Sequence, residues 1–176
     1  LTMTGGSEAI TADGTETINF SGTGNIVLGS DDEDLNNTDT GENGDGIDSS
    51  TLSGIDASGL SGDLTLDTLL NIDEQSFTFT SGTGVTTLTL MEDTFNAGSV
   101  DDTAHNWSFD LSNAATGSEM RLGVTTGWGA ADELADDETS NNLSIDLGAN
   151  ATLFIDATQD FTNLDSFSIN GAIVLA

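Results

Sequence analysis

Apolar residues in this chain come in pairs separated by a single, mostly polar residue. Leu1/Met3, Ile18/Phe20, Ile26/Leu28, Leu64/Leu66, Phe77/Phe79, Leu88/Leu90, Trp107/Phe109, Met120/Leu122, Leu143/Ile145/Leu147, Leu153/Ile155, Phe167/Ile169 and Ile173/Leu175 all follow that pattern. A period of two places such residues on one face of an extended strand and leaves Thr, Ser, Asp and Asn for the other. Helical spacings of three and four are nearly missing. The sequence therefore predicts an all-β chain of many short strands, several about a dozen residues apart, separated by Gly, Ser, Asn and Asp. That spacing favours a β-solenoid of β-helix or β-roll type, with a β-sandwich as the alternative. Helix is expected only in short pieces, over Ala130-Ala131-Asp132-Glu133-Leu134-Ala135 and from Asp67 to Ile72.

One turn sequence recurs. Ser21-Gly22-Thr23-Gly24 stands between Ile18-Asn19-Phe20 and Asn25-Ile26-Val27-Leu28, and Ser81-Gly82-Thr83-Gly84 stands between Phe77-Thr78-Phe79-Thr80 and Val85 to Leu90. The offset also matches Asn36 with Asn96. With 176 residues, the expectation is one β domain over 1–176, divisible into related halves near 1–60 and 61–120 and a strand-rich remainder over 121–176. The absence of Pro removes one common guard of exposed strand edges, leaving charge to do that work.

Charge narrows the class of function. Thirty-one acidic residues face one cation, Arg121, for a net charge of -30. Self-repulsion on that scale opposes a compact state unless cations or salt neutralise it, so a metal requirement or a salty habitat is expected. Without Lys, the chain has nothing with which to displace counterions from a phosphate backbone, which excludes nucleic acid and anionic lipid as partners. No run of about 18 apolar residues predicts a membrane-spanning helix. Cys is absent, so neither disulfides nor thiolate metal sites are expected.

The densest group of potential ligands lies in 31–48. It comprises Asp31, Asp32, Glu33, Asp34, Asp39, Glu42, Asn43, Asp45 and Asp48, with Gly41, Gly44 and Gly46 to turn the backbone. Calcium takes six to eight hard oxygens at flexible geometry, and this segment supplies carboxylates, an amide and carbonyls. Asn43-Gly44-Asp45-Gly46-Ile47-Asp48 resembles the core of Asp-x-Asn-x-Asp-Gly calcium loops, although Gly41 replaces the first Asp and Leu52 the closing Glu. The expected metal ligands are Asp31, Asp32, Asp34, Asp39, Asn43, Asp45 and Asp48, with Ca2+ as the ion. A second acidic group, Asp132, Glu133, Asp136, Asp137 and Glu138, lacks interleaved glycines and reads as a solvated face.

Catalytic readings find little support. His105 is the single histidine, and a chain so rich in Ser and Asp makes any Ser/His/Asp coincidence uninformative. A glycosidase needs aromatics to stack on sugars, whereas aromatics are 6% of the chain and Tyr is absent. Trp107 and Trp128 read as core or contact residues. No enzymatic activity is expected.

Ile55-Asp56-Ala57-Ser58-Gly59-Leu60-Ser61-Gly62-Asp63-Leu64-Thr65-Leu66 and Ser21-Gly22-Thr23-Gly24-Asn25-Ile26-Val27-Leu28 look like solenoid rungs. In this, and in being acidic, Cys-free and rich in Gly, Asp, Asn and Thr, the chain resembles bacterial surface-layer proteins and giant adhesins exported by type I secretion. Their RTX repeats form calcium-bound β-rolls. In an RTX nonapeptide an Asp stands two residues after the last Gly; Ile26 and Thr86 hold that place here. The resemblance implies a secreted or cell-surface structural protein whose copies assemble into a surface layer or filament, with calcium driving folding or assembly. The alternative is an adhesin-type module binding a sugar or other surface ligand. The sequons at Asn19, Asn36, Asn106, Asn142 and Asn150 would suit a glycosylated coat, and Ile173-Val174-Leu175 is either a last core strand or a strand lent to a neighbour.

Overall fold

The structure, a computed structural model, describes residues 10–11, 17–28, 47–48, 52–70, 76–90, 106–122, 142–155 and 166–175. These form fourteen strands: β1 (Ile10–Thr11), β2 (Thr17–Gly22), β3 (Ile26–Leu28), β4 (Ile47–Asp48), β5 (Gly54–Leu60), β6 (Leu64–Leu70), β7 (Phe77–Thr80), β8 (Thr86–Leu90), β9 (Asn106–Asp110), β10 (Ser118–Leu122), β11 (Asn142–Asp146), β12 (Ala151–Ile155), β13 (Ser166–Asn170) and β14 (Ala172–Leu175).

Every described strand pairing is parallel, which decides between the two expected architectures. One sheet, sheet A, runs β1-β4-β6-β8-β10-β12-β14 with β3 also paired to β6; the other, sheet B, runs β13-β11-β9-β7-β5-β2. The chain therefore alternates between two parallel sheets, crossing from B to A by a short turn and returning from A to B by a longer segment, which is a β-solenoid. Parallel neighbours cannot be joined by a hairpin, so each rung must complete a circuit before its strand meets the one below. Six rungs result: β2/β3, β5/β6, β7/β8, β9/β10, β11/β12 and β13/β14, with β1 set against β4 one level before the first.

The alternating apolar pairs fill the space between the sheets. Ile18, Ile55, Phe79, Phe109, Ile145 and Ile169 stand in one register column of sheet B, and Leu28, Leu66, Leu88, Met120, Leu153 and Ile173 in one of sheet A. Residues of both sheets join one buried cluster, with Ile18 and Ile169 half-buried against it. The rings of Phe77 and Phe79 lie 5.9 and 6.5 Å from that of Phe109, tilted against it as aromatic pairs prefer. Trp107 is buried beside them, as expected for a core residue.

Two local irregularities explain what alternation does not capture. The register of β2 against β5 shifts between Asn19 and Ser21, so β5 spaces its buried residues as Ile55, Ala57 and Leu60. A second shift lies between Leu66 and Leu69, where β6 meets β8. It stretches an apolar spacing of two into one of three, in the stretch from Asp67 to Ile72 where a short helix is expected. That expectation is corrected: Asp67 to Leu70 continue β6, with Leu69 paired to Leu90 on one side and Ile47 on the other. The helix expected at Ala130 to Ala135 lies outside the described residues.

Glycine is required where the turns stack. The Ser21 and Ser81 turns occupy the first and third rungs, and Ser61-Gly62-Asp63 makes the turn between them. A Cβ on Gly62 would strike the carbonyl of Gly24, and one on Gly84 the carbonyl of Gly62. Gly24, Gly62 and Gly84 thus form a column in which backbone lies on backbone.

Candidate functional site

The outer face of sheet B carries aligned columns of small polar side chains. Asn19, Asp56, Thr80, Asp110, Asp146 and Asn170 share the last such column, and Thr78, Ser108, Ser144 and Ser168 the one before it. Strand residues two apart face the same way and rungs repeat at about 4.8 Å, so the columns make a flat grid of hydroxyls, amides and carboxylates. Neighbouring rungs are tied along it. Asn142 Nδ2 donates to Asn106 Oδ1 at 3.0 Å, Ser166 Oγ donates to Asn142 Oδ1, and Ser168 Oγ donates to Ser144 Oγ at 3.2 Å. Asn170 Nδ2 donates to Asp146 Oδ1 at 2.9 Å.

Asp110 and Asp146 end their strands by capping the turn that follows, and Asp56 makes the same local bond within β5, at its bulge. Ser58 N–H donates to Asp56 Oδ1 at 2.8 Å, Ser112 N–H to Asp110 Oδ1 at 2.9 Å and Gly148 N–H to Asp146 Oδ1 at 3.0 Å. Each is an Asx turn two residues long, the local hydrogen bond that makes Asp a turn residue. The Ser58 hydroxyl and then the Ser58 N–H hold the Asp56 carboxyl below its ordinary pKa, against a small opposing effect of burial. A third tie crosses the turns: Asp63 N–H donates to Asn25 Oδ1 at 2.9 Å, Asn25 Nδ2 returns to Asp63 Oδ2 at 3.2 Å, and Val85 N–H donates to Asp63 Oδ1 at 3.0 Å. Asp63 and Asp146 are therefore engaged in holding rungs together, and Asp56 and Asp110 in shaping their own.

Two sequons become readable from this geometry. Asn142 donates through the amide nitrogen a glycan would occupy, and Asn150 Nδ2 donates likewise to the Ala114 carbonyl at 3.2 Å. Attaching a sugar to either would break its tie. Peptide mass spectrometry of the native protein is expected to find both unmodified, and a fully glycosylated Asn142 would show that the column forms without its amide.

The outer face of sheet A is different. Thr65, Thr87, Glu119 and Thr152 share a column, and beside it stand Arg121, Phe154 and Val174. Arg121 Nη2 lies 2.7 Å from Glu119 Oε2, and its guanidinium lies 4.7 Å from the centroid of the Phe154 ring. The pair is substantially solvated, so the ion pair itself contributes little. The cation over the ring ties β10 to β12.

Six of the seven expected metal ligands, Asp31, Asp32, Asp34, Asp39, Asn43 and Asp45, lie outside the described residues. Asp48 ends β4, paired with Thr11 and Leu70. The strands on either side of that segment in the chain, β3 and β4, both pair with β6. Among the described residues, no three His, Asp or Glu side chains come together. The polar columns escaped the sequence reading because their members are separated by unequal intervals, 36 residues from Asn106 to Asn142 and 24 from Asn142 to Ser166.

Acid is segregated in the chain. Seven of the 31 acidic residues fall in the described segments, leaving 24 in the connections and the N-terminal residues. No helix among the described residues is long and apolar enough to cross a membrane. No protein-family model, curated protein or solved structure matches the chain.

Proposed function

We propose that this protein is an extracellular structural module whose copies assemble at a cell surface, as a layer or filament, under the control of calcium. The observation that carries the reading is the segregation of acid: near-neutral rungs stack through apolar columns and short polar ties, while carboxylates gather in the segments between them. Such a chain separates a rigid spacer from a charge that must be neutralised before copies can approach.

Calcium suits that task by chemistry and by concentration. Sites in extracellular modules typically bind at ~10⁻⁴ to 10⁻³ M, so they stay empty in a calcium-poor cytosol and fill outside. A site at tenfold excess over its dissociation constant contributes about 1.4 kcal/mol, and several would supply a substantial share of a ~5–15 kcal/mol stability. The segment 31–48 is where such sites are assigned, with Asp39, Asn43 and Asp45 central. No catalytic role is assigned to any residue.

Light scattering on EDTA-stripped protein tests the reading. Added calcium is expected to give a steep rise that equimolar magnesium does not and that EDTA reverses, and D39N and D45N are expected to shift it to higher calcium. A flat trace from folded, monodisperse protein would overturn calcium-controlled assembly. The polar grid of sheet B supports a second reading, an adhesin-type module taking a carbohydrate. Retention of the monodisperse protein on a glycan surface would favour it.

A further inference from the structure

The rung formed by β13 and β14 turns its corner on a single residue. β13 ends at Asn170, β14 begins at Ala172, and Gly171 alone lies between them. Glycine is required there, because φ at 171 is +133° and a Cβ would stand 2.5 Å from that of Leu147. The residue before it is held just as closely. Asn170 continues the column of Asp110 and Asp146, and its Nδ2 donates to Asp146 Oδ1 at 2.9 Å. An aspartate at 170 would set one carboxylate against another and have no proton to donate. The fold thus brings asparagine and glycine together in that order, and among the described residues no other asparagine is followed by glycine.

We propose that Asn170 is a site of spontaneous deamidation, restrained by Asp146, and that its conversion releases the rung of β13 and β14 from its neighbour. The Gly171 backbone nitrogen, having lost its proton to hydroxide, attacks the side-chain carbon Cγ of Asn170. The new N–Cγ bond closes a succinimide ring as the Cγ–Nδ2 bond breaks, and Nδ2 takes up a proton from water and leaves as ammonia. Water then opens the ring. Attack at Cγ gives aspartate, and attack at the backbone carbonyl carbon gives isoaspartate, whose main chain runs through the former side chain. Nothing is oxidised or reduced. The attacking nitrogen needs room, and Gly171 places no side chain beside it. Asn170 is exposed, so water and hydroxide reach it.

Asp146 supplies the restraint. A hydrogen bond to a charged acceptor is stronger than one to a neutral group, and this one holds the amide nitrogen toward the neighbouring rung. Closing the ring turns Cγ toward Gly171 and breaks that bond. Both products then undo the pairing. Aspartate replaces the donor by a carboxylate beside Asp146 and in line with Asp110. Isoaspartate also turns the Asn170 carbonyl, which accepts from Leu147 N–H at 2.7 Å, into part of a free carboxylate, and it adds a methylene to the main chain at a corner one residue long. Each rung of a solenoid is held mainly by its neighbours, so the loosening falls between β11/β12 and β13/β14 and not deeper in the stack. The reaction needs neither metal nor a second copy, which makes it independent of the calcium reading.

Ageing the 176-residue chain in mildly alkaline buffer tests the site, with peptide mass spectrometry and hydrogen exchange followed together. The free peptide Ser168–Ile173 supplies the unrestrained rate. The folded chain is expected to deamidate at Asn170 more slowly than that peptide and ahead of Asn19, Asn106, Asn142 and Asn150, with isoaspartate exceeding aspartate. Exchange at the Leu147 amide is expected to quicken in step with conversion, while that at Phe109 stays as in fresh protein. D146N, which keeps an acceptor for the Gly148 N–H, is expected to fold as wild type by circular dichroism and to convert faster at 170; D146S makes the same comparison independently. N170Q aged alike is expected to keep its Leu147 amide as protected as when fresh, since glutamine closes its larger ring far more slowly. A chain still unmodified at 170 once the peptide has reacted completely, a rate equal to the peptide's, folded D146N and D146S converting no faster than wild type, or full conversion with Leu147 protection unchanged would each overturn the proposal.

Discussion

Replacing Phe109 by alanine is expected to lower stability by ~3–5 kcal/mol, the usual loss for a buried aromatic ring. Phe109 is fully buried and lies against the rings of Phe77 and Phe79 while standing in column with Phe79 and Ile145. A solenoid is close to a one-dimensional array in which each rung is held mainly by its neighbours. A cavity at the fourth of six rungs weakens the interfaces on both sides, dividing the stack near its middle. For a chain of this size each kcal/mol moves Tm by ~2–4 °C, so a fall on the order of 10 °C is the expected result of a thermal melt followed by circular dichroism. A melt within ~2 °C of wild type would mean that the third, fourth and fifth rungs do not share one core.

The second large effect needs only one added methyl. Gly84→Ala would set a Cβ on the carbonyl of Gly62, a backbone atom that cannot swing aside as a side chain would. Overpacking ordinarily costs ~1–3 kcal/mol, and here relief requires the third rung to lift from the second. The bonds at stake are those beside the turn: Leu64 N–H to the Val85 carbonyl at 2.8 Å and Val85 N–H to Asp63 at 3.0 Å. Hydrogen exchange is expected to accelerate at Leu64 and Val85 before it does at Leu143 or Leu153, two rungs away. Gly117→Ala is the control for an added methyl, since nothing lies within 4 Å of a Cβ there, although its φ of 95° gives that variant some strain of its own. If Gly84→Ala melts no lower than Gly117→Ala, close stacking of the turns is not a constraint on this fold.

Most of the fold was legible because a parallel rung buries one face of each strand and leaves the other to solvent. Ile26/Leu28, Phe77/Phe79 and Leu153/Ile155 announce their strands by that alternation alone. β5 was less legible for a physical reason: its bulge opposite Phe20 breaks the period, leaving Ile55, Ala57 and Leu60 to be recognised only as part of a rung-like phrase. β1 and β4 are two residues each, too short to show any period. The tail Ile173-Val174-Leu175 was read as a strand, and it is one, but no pattern in three apolar residues says that their far side stays uncovered. The polar columns were illegible because rungs of unequal length erase any fixed interval between Asn106, Asn142 and Ser166. The expected calcium residues rest on clustered oxygen ligands with interleaved glycines and a loop-like phrase at 43–48, and all but Asp48 fall outside the described residues.

Rung length has a further consequence. Between one rung and the next the chain uses six residues at 71–76, fifteen at 91–105 and nineteen at 123–141, yet the strands on either side stay in parallel register. Lengthening a closed loop is cheap, about 0.6 kcal/mol for each doubling, and in this architecture it disturbs no pairing. The return edge is thus a row of sockets on a ruler graduated at ~4.8 Å, into which foreign peptides could be spliced and presented at chosen separations.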